Sequence, residues 1–327
     1  MNKSIIKKLV KASGVSAGDL VLVQLWGEDD DISIMHNFAA EVAELGASPI
    51  EMQQSRKTNA VKFAALHENA FDEKYFKTLS NFDVVLDVFA YRPVVLGVKL
   101  EDAQMMMYSK YMATLFGALQ NAKRFVQIRI PSAQNAEDAG LPYEEYNKRM
   151  LSAYDVDYDK LQQEAEKHIE ELSKNDRLTI STDNDCHLHF NFKGRKWHID
   201  AGDGDIPAGE VYIAPVESDT NGTIYFPKLY AEDWGDYENI TLTVESGIVV
   251  KTSDDVLNAH FVGLGTSAKT ICELGFGINP NITTLCGYTL LDEKALNTVH
   301  IAIGANTMFG GNNNANHHMD FVRYYKR

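Results

Sequence analysis

Cysteine is scarce in this chain. Three residues, Cys186, Cys272 and Cys286, are spread over 327 positions. They form no C-x-x-C pair and are odd in number, so neither a disulfide framework nor a thiolate zinc site is indicated. Positive charge is also in deficit. Lys and Arg total 31 against 46 Asp and Glu, a formal net charge of -15. Nucleic-acid binding needs clustered Lys and Arg, so this balance argues against nucleic acid as the main partner. It argues equally against docking on an anionic membrane. No stretch approaches about 18 consecutive apolar residues, so no membrane span is expected. The opening MNKSIIKKLVKASGV has lysines but no long apolar core, and does not read as a signal peptide. These absences together predict a soluble, reduced, cytoplasmic protein.

What is present is ordinary globular composition, with 45% hydrophobic and 24% charged residues, enough to bury a sizeable core without staples. The length allows two domains or one large one. In the first half, short apolar runs alternate with helical periodicity. Asp19–Trp26, Asn81–Ala90 and Lys123–Pro131 read as buried strands. Ile34, Phe38, Val42 and Leu45 recur at helical spacing before Gly46, and Met105–Leu119 is helical in pattern. This predicts an α/β N-terminal domain with a mostly parallel sheet. No G-x-G-x-x-G follows the first strand, so a dinucleotide cradle is not supported. A charged helix over 157–175, with Leu161, Ala165, Ile169 and Leu172 as its apolar stripe, ends in SKND. The expected domain boundary lies there, giving 1–175 and 176–327.

The second half changes texture. LTIST, HLHFNF, GEVYIAP, GTIYF, ITLTVE and GIVVKT are β-branched and aromatic segments separated by Gly, Asp and Asn turns. They predict a β-rich α+β domain. The candidate chemistry also lies here. His318 and Asp320 in HHMDFV are two apart, so a strand would point both to one face. His300 lies upstream in the strand-like HIAIG. Imidazoles and a carboxylate suit zinc, iron or manganese, although H-x-D alone is equally the end of a surface strand. Glu210 follows a Pro-Ala-Gly turn, Glu273 starts a Gly-punctuated loop, and Asp292 and Glu293 shortly precede His300. Each is an ordinary turn carboxylate on the bland reading. Burying several beside apolar strands is costly unless they are paired or metal-bound, and a dinuclear site would bind them. His187 and His189 share a strand face that reads as solvated, and His198 and His260 read as packing residues. Tyr212, Tyr225 and Tyr288 sit in β-like segments where aromatics pack.

The segments IPAGEVYIAPVESDTNGTIYF, ELGFGINPNI, LLDEKALNTVHIAIG and HHMDFV, in that order, resemble the aminopeptidase T family of metallopeptidases. The likeness covers most of the second half and is fainter in SAGDLVLVQ and AAEVAELGASPIEM. It implies that Glu210, Glu273, Glu293, His300, His318 and Asp320 hold two divalent ions (zinc, cobalt or manganese), with Glu273 as bridging ligand or catalytic base. It further implies a homodimer that removes N-terminal residues from small peptides. One departure stands out. The family carries a catalytic tyrosine just after HIA-G, whereas ANTMFGG has none and offers Asn306, Thr307 and Met308. The chain is also distantly similar to ring-cleaving dihydroxypyridine dioxygenases. For these, His300, His318 and Asp320 would form a non-haem Fe(II) site. The missing tyrosine favours that alternative, and the three glutamates oppose it. A degenerate relative holding one structural ion is a third reading.

Overall fold

The computed structural model describes residues 1–67, 70–232 and 234–325. The strands in chain order are β1 (Leu20–Trp26), β2 (Ser48–Gln53), β3 (Val84–Phe89), β4 (Arg124–Arg129), β5 (Arg177–Thr182), β6 (Cys186–Asn191), β7 (His198–Asp200), β8 (Asp205–Ile206), β9 (Glu210–Ile213), β10 (Asn221–Ala231), β11 (Gly235–Glu245), β12 (Ile248–Thr252), β13 (Ile271–Gly277), β14 (Thr298–Gly304) and β15 (His318–Tyr324). They form two compact units, Met1–Asp155 with Gly202–Ala208, and Val156–Ala201 with Gly209–Arg327.

The first unit is built on a parallel sheet of order β2-β1-β3-β4-β8. Its central strands are continuous apolar runs because helices cover a parallel sheet on both faces. The helix Ile32–Glu44 buries Met35, Phe38, Ala39 and Val42, the face its periodicity predicts. Trp26 and Phe89 join Phe63, Tyr108 and Tyr111 in an aromatic core against the helix Asp102–Leu119. β2 was not expected. Its sequence, SPIEMQ, has no apolar run because it is an edge strand that stays half exposed.

The second unit holds two antiparallel sheets, ordered β12-β11-β10-β6-β5 and β15-β14-β13-β9-β7. The helix Tyr158–Leu172 groups with this unit, burying Leu161 and Ala165 and lying against β7 and β9. The boundary expected after residue 175 therefore differs from the division seen, which falls at 155/156. Tertiary contact decides that point, since an amphipathic stripe says that a helix packs but not on what. The return of Gly202–Ala208, which pairs β8 with β4, has no signal in composition either. Among the described residues no helix is long and apolar enough to cross a membrane.

One charge lies deep in the first unit. Asp87, fully buried in β3, accepts hydrogen bonds at Oδ1 from Gln24 Nε2 (2.6 Å) and Trp26 Nε1 (2.8 Å). Burial outweighs these bonds and pushes its pKa from 3.8 up to about 6. Between those values the native carboxyl keeps a proton that the unfolded chain has lost. Its contribution is thus fully present below the unfolded value and is lost as pH rises through the folded one, on the order of 3 kcal/mol. Asp87→Asn should abolish this dependence and raise the melting temperature at about pH 8, where the wild type carries the buried charge. Denaturant titrations across this range are the check, and an identical pH slope in both proteins would refute the argument.

Candidate metal centre

Glu210, Glu273, His300, His318 and Asp320 converge on one face of the sheet β15-β14-β13-β9-β7, while Glu293 follows the short helix Thr289–Asp292. Residues alternate faces along a strand, and directly opposed residues share a face. Register places Tyr212, Gly275 and His300 in one row. Glu273, Ala302 and Asp320 form a second row. Asp200, Glu210 and Gly277 form a third. The side chains at i and i+2 thus stack as a patch of acids and imidazoles. A register shift between Ile271 and Glu273 marks a bulge next to Glu273. Bulges of this kind re-aim a side chain.

The patch needs small neighbours. A Cβ on Gly275 would lie 2.0 Å from His300 Nε2, so only glycine admits the imidazole there. Gly275 stands in ELGFG, whose glycines suggest a loop but which runs as the buried strand β13.

Glu273 sits between two donor sets. Its Oε1 is 3.3 Å from His300 Nε2, and its Oε2 is 3.4 Å from His318 Nε2. His300 Nε2 also faces Glu210 Oε2 at 3.4 Å, and His318 Nε2 faces Asp320 Oδ2 at 3.4 Å. Glu210, Glu273 and His300 offer ligand atoms within 4.8 Å of one another, as do Glu273, His318 and Asp320. Glu293 joins neither set and instead contacts Lys294 Nζ at 2.6 Å. His318 Nδ1 lies 2.9 Å from the Ala305 carbonyl. Donation there fixes the tautomer and leaves the Nε2 lone pair facing Glu273 and Asp320, the usual way a protein orients an imidazole that could take a metal.

This donor set fits a divalent cation. Glu210 Oε2 and Asp320 Oδ1 are buried and have no hydrogen-bond partner. Buried acceptors in that state are costly unless a cation meets them. Electrostatics agree. Burial raises the pKa of Glu273, and burial raises that of Glu293 to about 8 despite Lys294. Burial opposes charge on His300, but Glu273, Glu210 and Asp320 overcome it and raise its pKa to about 9. His318 is raised against burial by Asp320, and Asp320 is lowered against burial by His318. The acids thus draw protons onto the imidazoles, and a metal would compete for the same lone pairs.

The Asn-rich stretch after β14 is an ordered loop. Asn306, fully buried, donates to Glu217 Oε1 (3.0 Å) and the Cys272 carbonyl (3.1 Å) and accepts from the Asn313 amide (2.8 Å). Asn313 Nδ2 donates to Gly304 and Ser267 carbonyls. Phe309 is thereby held edge-on to Tyr212 (5.5 Å between centroids) and His318 (6.0 Å). Asn306 serves as scaffold, and Met308 points to solvent. Tyr212, two residues after Glu210 on the same face, has its pKa raised by burial and then by Glu210, Glu273 and Asp200, so its phenol stays protonated. Tyr225 is committed elsewhere, donating to Asn239 Oδ1. His187 and His189 are exposed and pair with Ser181 and Thr179, and His260 stacks on Trp234.

Sequence reasoning missed Lys294 and Asp200. Lys294 is buried and lies 2.6 Å from Glu210 Oε1 and 3.8 Å from Asp200 Oδ2. The only hint was a lysine beside Glu293 in LLDEKAL, and a lysine is normally solvent-exposed.

The sequence model of a family described as thermophilic metalloprotease (M29) matches residues 7–321. No curated protein sequence matches significantly. Among solved structures, wild-type AmpT from Thermus thermophilus aligns with TM-score 0.67 and 15% identity, covering 99% of this chain and 95% of that one. A 2,5-dihydroxypyridine dioxygenase from Pseudomonas putida KT2440 aligns with TM-score 0.65 and 15% identity, covering 98% and 90%. At such identities these likenesses speak for the fold.

Gly275→Ala should displace His300. Calorimetric titration with Mn²⁺ should show the affinity falling by about tenfold or more, with the far-ultraviolet spectrum unchanged. Wild-type affinity in the variant would show that the close approach is not needed.

Proposed function

The chain belongs to the thermophilic metalloprotease (M29) family, and on that premise we propose that it is an aminopeptidase working through two divalent ions. The observation that carries this reading is Glu273, whose two oxygens face separate donor sets. Glu210, Glu273 and His300 would hold one ion, and Glu273, His318 and Asp320 the other. Zinc, cobalt and manganese suit such a mixture of imidazole and carboxylate. Bound there, the ions would polarise the scissile carbonyl and lower the pKa of a water nucleophile.

The chain's own residues supply the rest. Glu273 would be shared by the two ions, because its two oxygens face separate donor sets. Ala305, through His318 Nδ1, keeps the imidazole lone pair directed at the patch. Tyr212 supplies a neutral phenol donor on the same face, the group that Asn306–Met308 lacks. Its task is to donate to the oxygen that gains charge as the carbonyl is attacked. Small peptides are the proposed substrates and a homodimer the proposed assembly, both resting on resemblance.

The dioxygenase reading has nearly as good a fold match in its favour. Its required set of His300, His318 and Asp320 is not one of the compact groups among the described residues, each of which includes Glu273. Elemental analysis of purified protein separates the two. Two zinc, manganese or cobalt ions per chain with release of N-terminal residues supports the peptidase, whereas one iron with oxygen uptake overturns it. Glu273→Gln should lower the content of both ions. Tyr212→Phe should leave metal content intact and lower kcat by about 100- to 1000-fold. Unchanged turnover would remove the phenol from the mechanism.

A further inference from the structure

Lys294 lies inside this acidic patch, and it is not a peripheral partner. It is 1% exposed, and its Nζ lies 2.6 Å from Glu210 Oε1, 2.6 Å from Glu293 Oε1 and 3.8 Å from Asp200 Oδ2. Its backbone is pinned, since the Lys294 carbonyl accepts from the Asn279 amide at 2.9 Å and its amide donates to Leu291. The ammonium is therefore aimed inward by the fold rather than by side-chain choice. Glu210 presents Oε1 to the lysine and Oε2, which is buried and unpartnered, toward His300.

We infer that Lys294 is a resident cation filling a third cation position beside the two donor sets, and that Glu293 serves this lysine rather than a metal. The inference rests on the reading of this face as a metal centre. Charge supports it. Asp200, Glu210, Glu273 and Asp320 are buried carboxylates, and Glu293, with 13% of its side chain exposed, is a fifth at their edge. Two divalent ions and one ammonium carry the five positive charges that would neutralise them with both imidazoles neutral. A patch of low dielectric tolerates no large residual charge. Geometry supports it too, because Glu293 stands outside both ligand groups while touching Lys294. Carboxylate oxygens at such distances around a single positive atom resemble an oxygen-lined ion site, with the ion tethered covalently to the chain.

The test is Lys294→Met, with Mn²⁺ as probe, compared with wild type, Lys294→Arg and Glu293→Gln. Equilibrium dialysis counts bound ions, and thermal melts are run with and without Mn²⁺. The metal-free Lys294→Met protein should melt about 10 °C lower, because uncompensated carboxylates remain. It should take up one more Mn²⁺ than the wild type and recover more of its melting temperature on Mn²⁺ addition than wild type gains. Lys294→Arg should keep the wild-type count. Glu293→Gln should also keep it. An unchanged or reduced count in Lys294→Met overturns the inference and leaves the lysine a structural anchor. Loss of an ion in Glu293→Gln overturns it by restoring Glu293 as a ligand, and this arm stands even where Lys294→Met fails to fold. The comparison counts ions relative to wild type, so a wild type binding one ion would refute the dinuclear reading while leaving the Lys294 comparison decisive.

Discussion

Repulsion among buried carboxylates governs this molecule's second unit. Asp200, Glu210, Glu273, Glu293 and Asp320 are held on or beside one sheet face, most of them nearly out of water. In a medium of low dielectric, like charges at such spacing are strongly unfavourable unless positive charge is brought among them. Three features answer that demand. Lys294 spans Glu210, Glu293 and Asp200. His300 and His318 gain proton affinity from the acids around them. Divalent ions in the Glu273-centred donor sets would supply the remainder and free the imidazoles of protons.

The sheet makes such crowding possible. Antiparallel register brings residues from five strands into adjacent rows, which a loop-based site would have to achieve against its own flexibility. The absence of a side chain at Gly275 gives His300 its place. The loop after β14 is stiffened by Asn306 and Asn313, so that Phe309 and the Ala305 carbonyl stand fixed beside His318. Asparagine suits this work because one side chain both donates and accepts, satisfying backbone groups that a tight turn leaves unpaired. What looks compositionally like a polar linker is therefore a support for the His318 imidazole.

Legibility in the sequence followed physical cause. Buried parallel strands such as β1 and β3 announce themselves as apolar runs, because both faces must be covered. The edge strand β2 does not, because one side stays wet. His300, His318, Asp320, Glu210 and Glu273 were visible because ligand chemistry is restricted to few residue types and strand alternation keeps H-x-D on one face. Glu293 was visible by the same reasoning, and the structure puts it in contact with Lys294. Its partner was hidden, since nothing local distinguishes a buried lysine from a solvated one. Tyr212 was seen as a strand aromatic, and only its row beside Gly275 and His300 brings it to the acids.

The sequence by itself determined the class of each half, the strand periodicity, the supply of imidazole and carboxylate, and the family to which their order belongs. These are properties of residue type and short spacing, which local sterics and hydrophobic patterning translate directly. Tertiary structure alone decided where the helix Tyr158–Leu172 packs, which carboxylates share a face, which oxygen of Glu273 meets which histidine, and that a lysine enters the acidic patch. Those outcomes depend on register between strands distant in sequence. A pairing shift of a single residue turns every side chain to the opposite face.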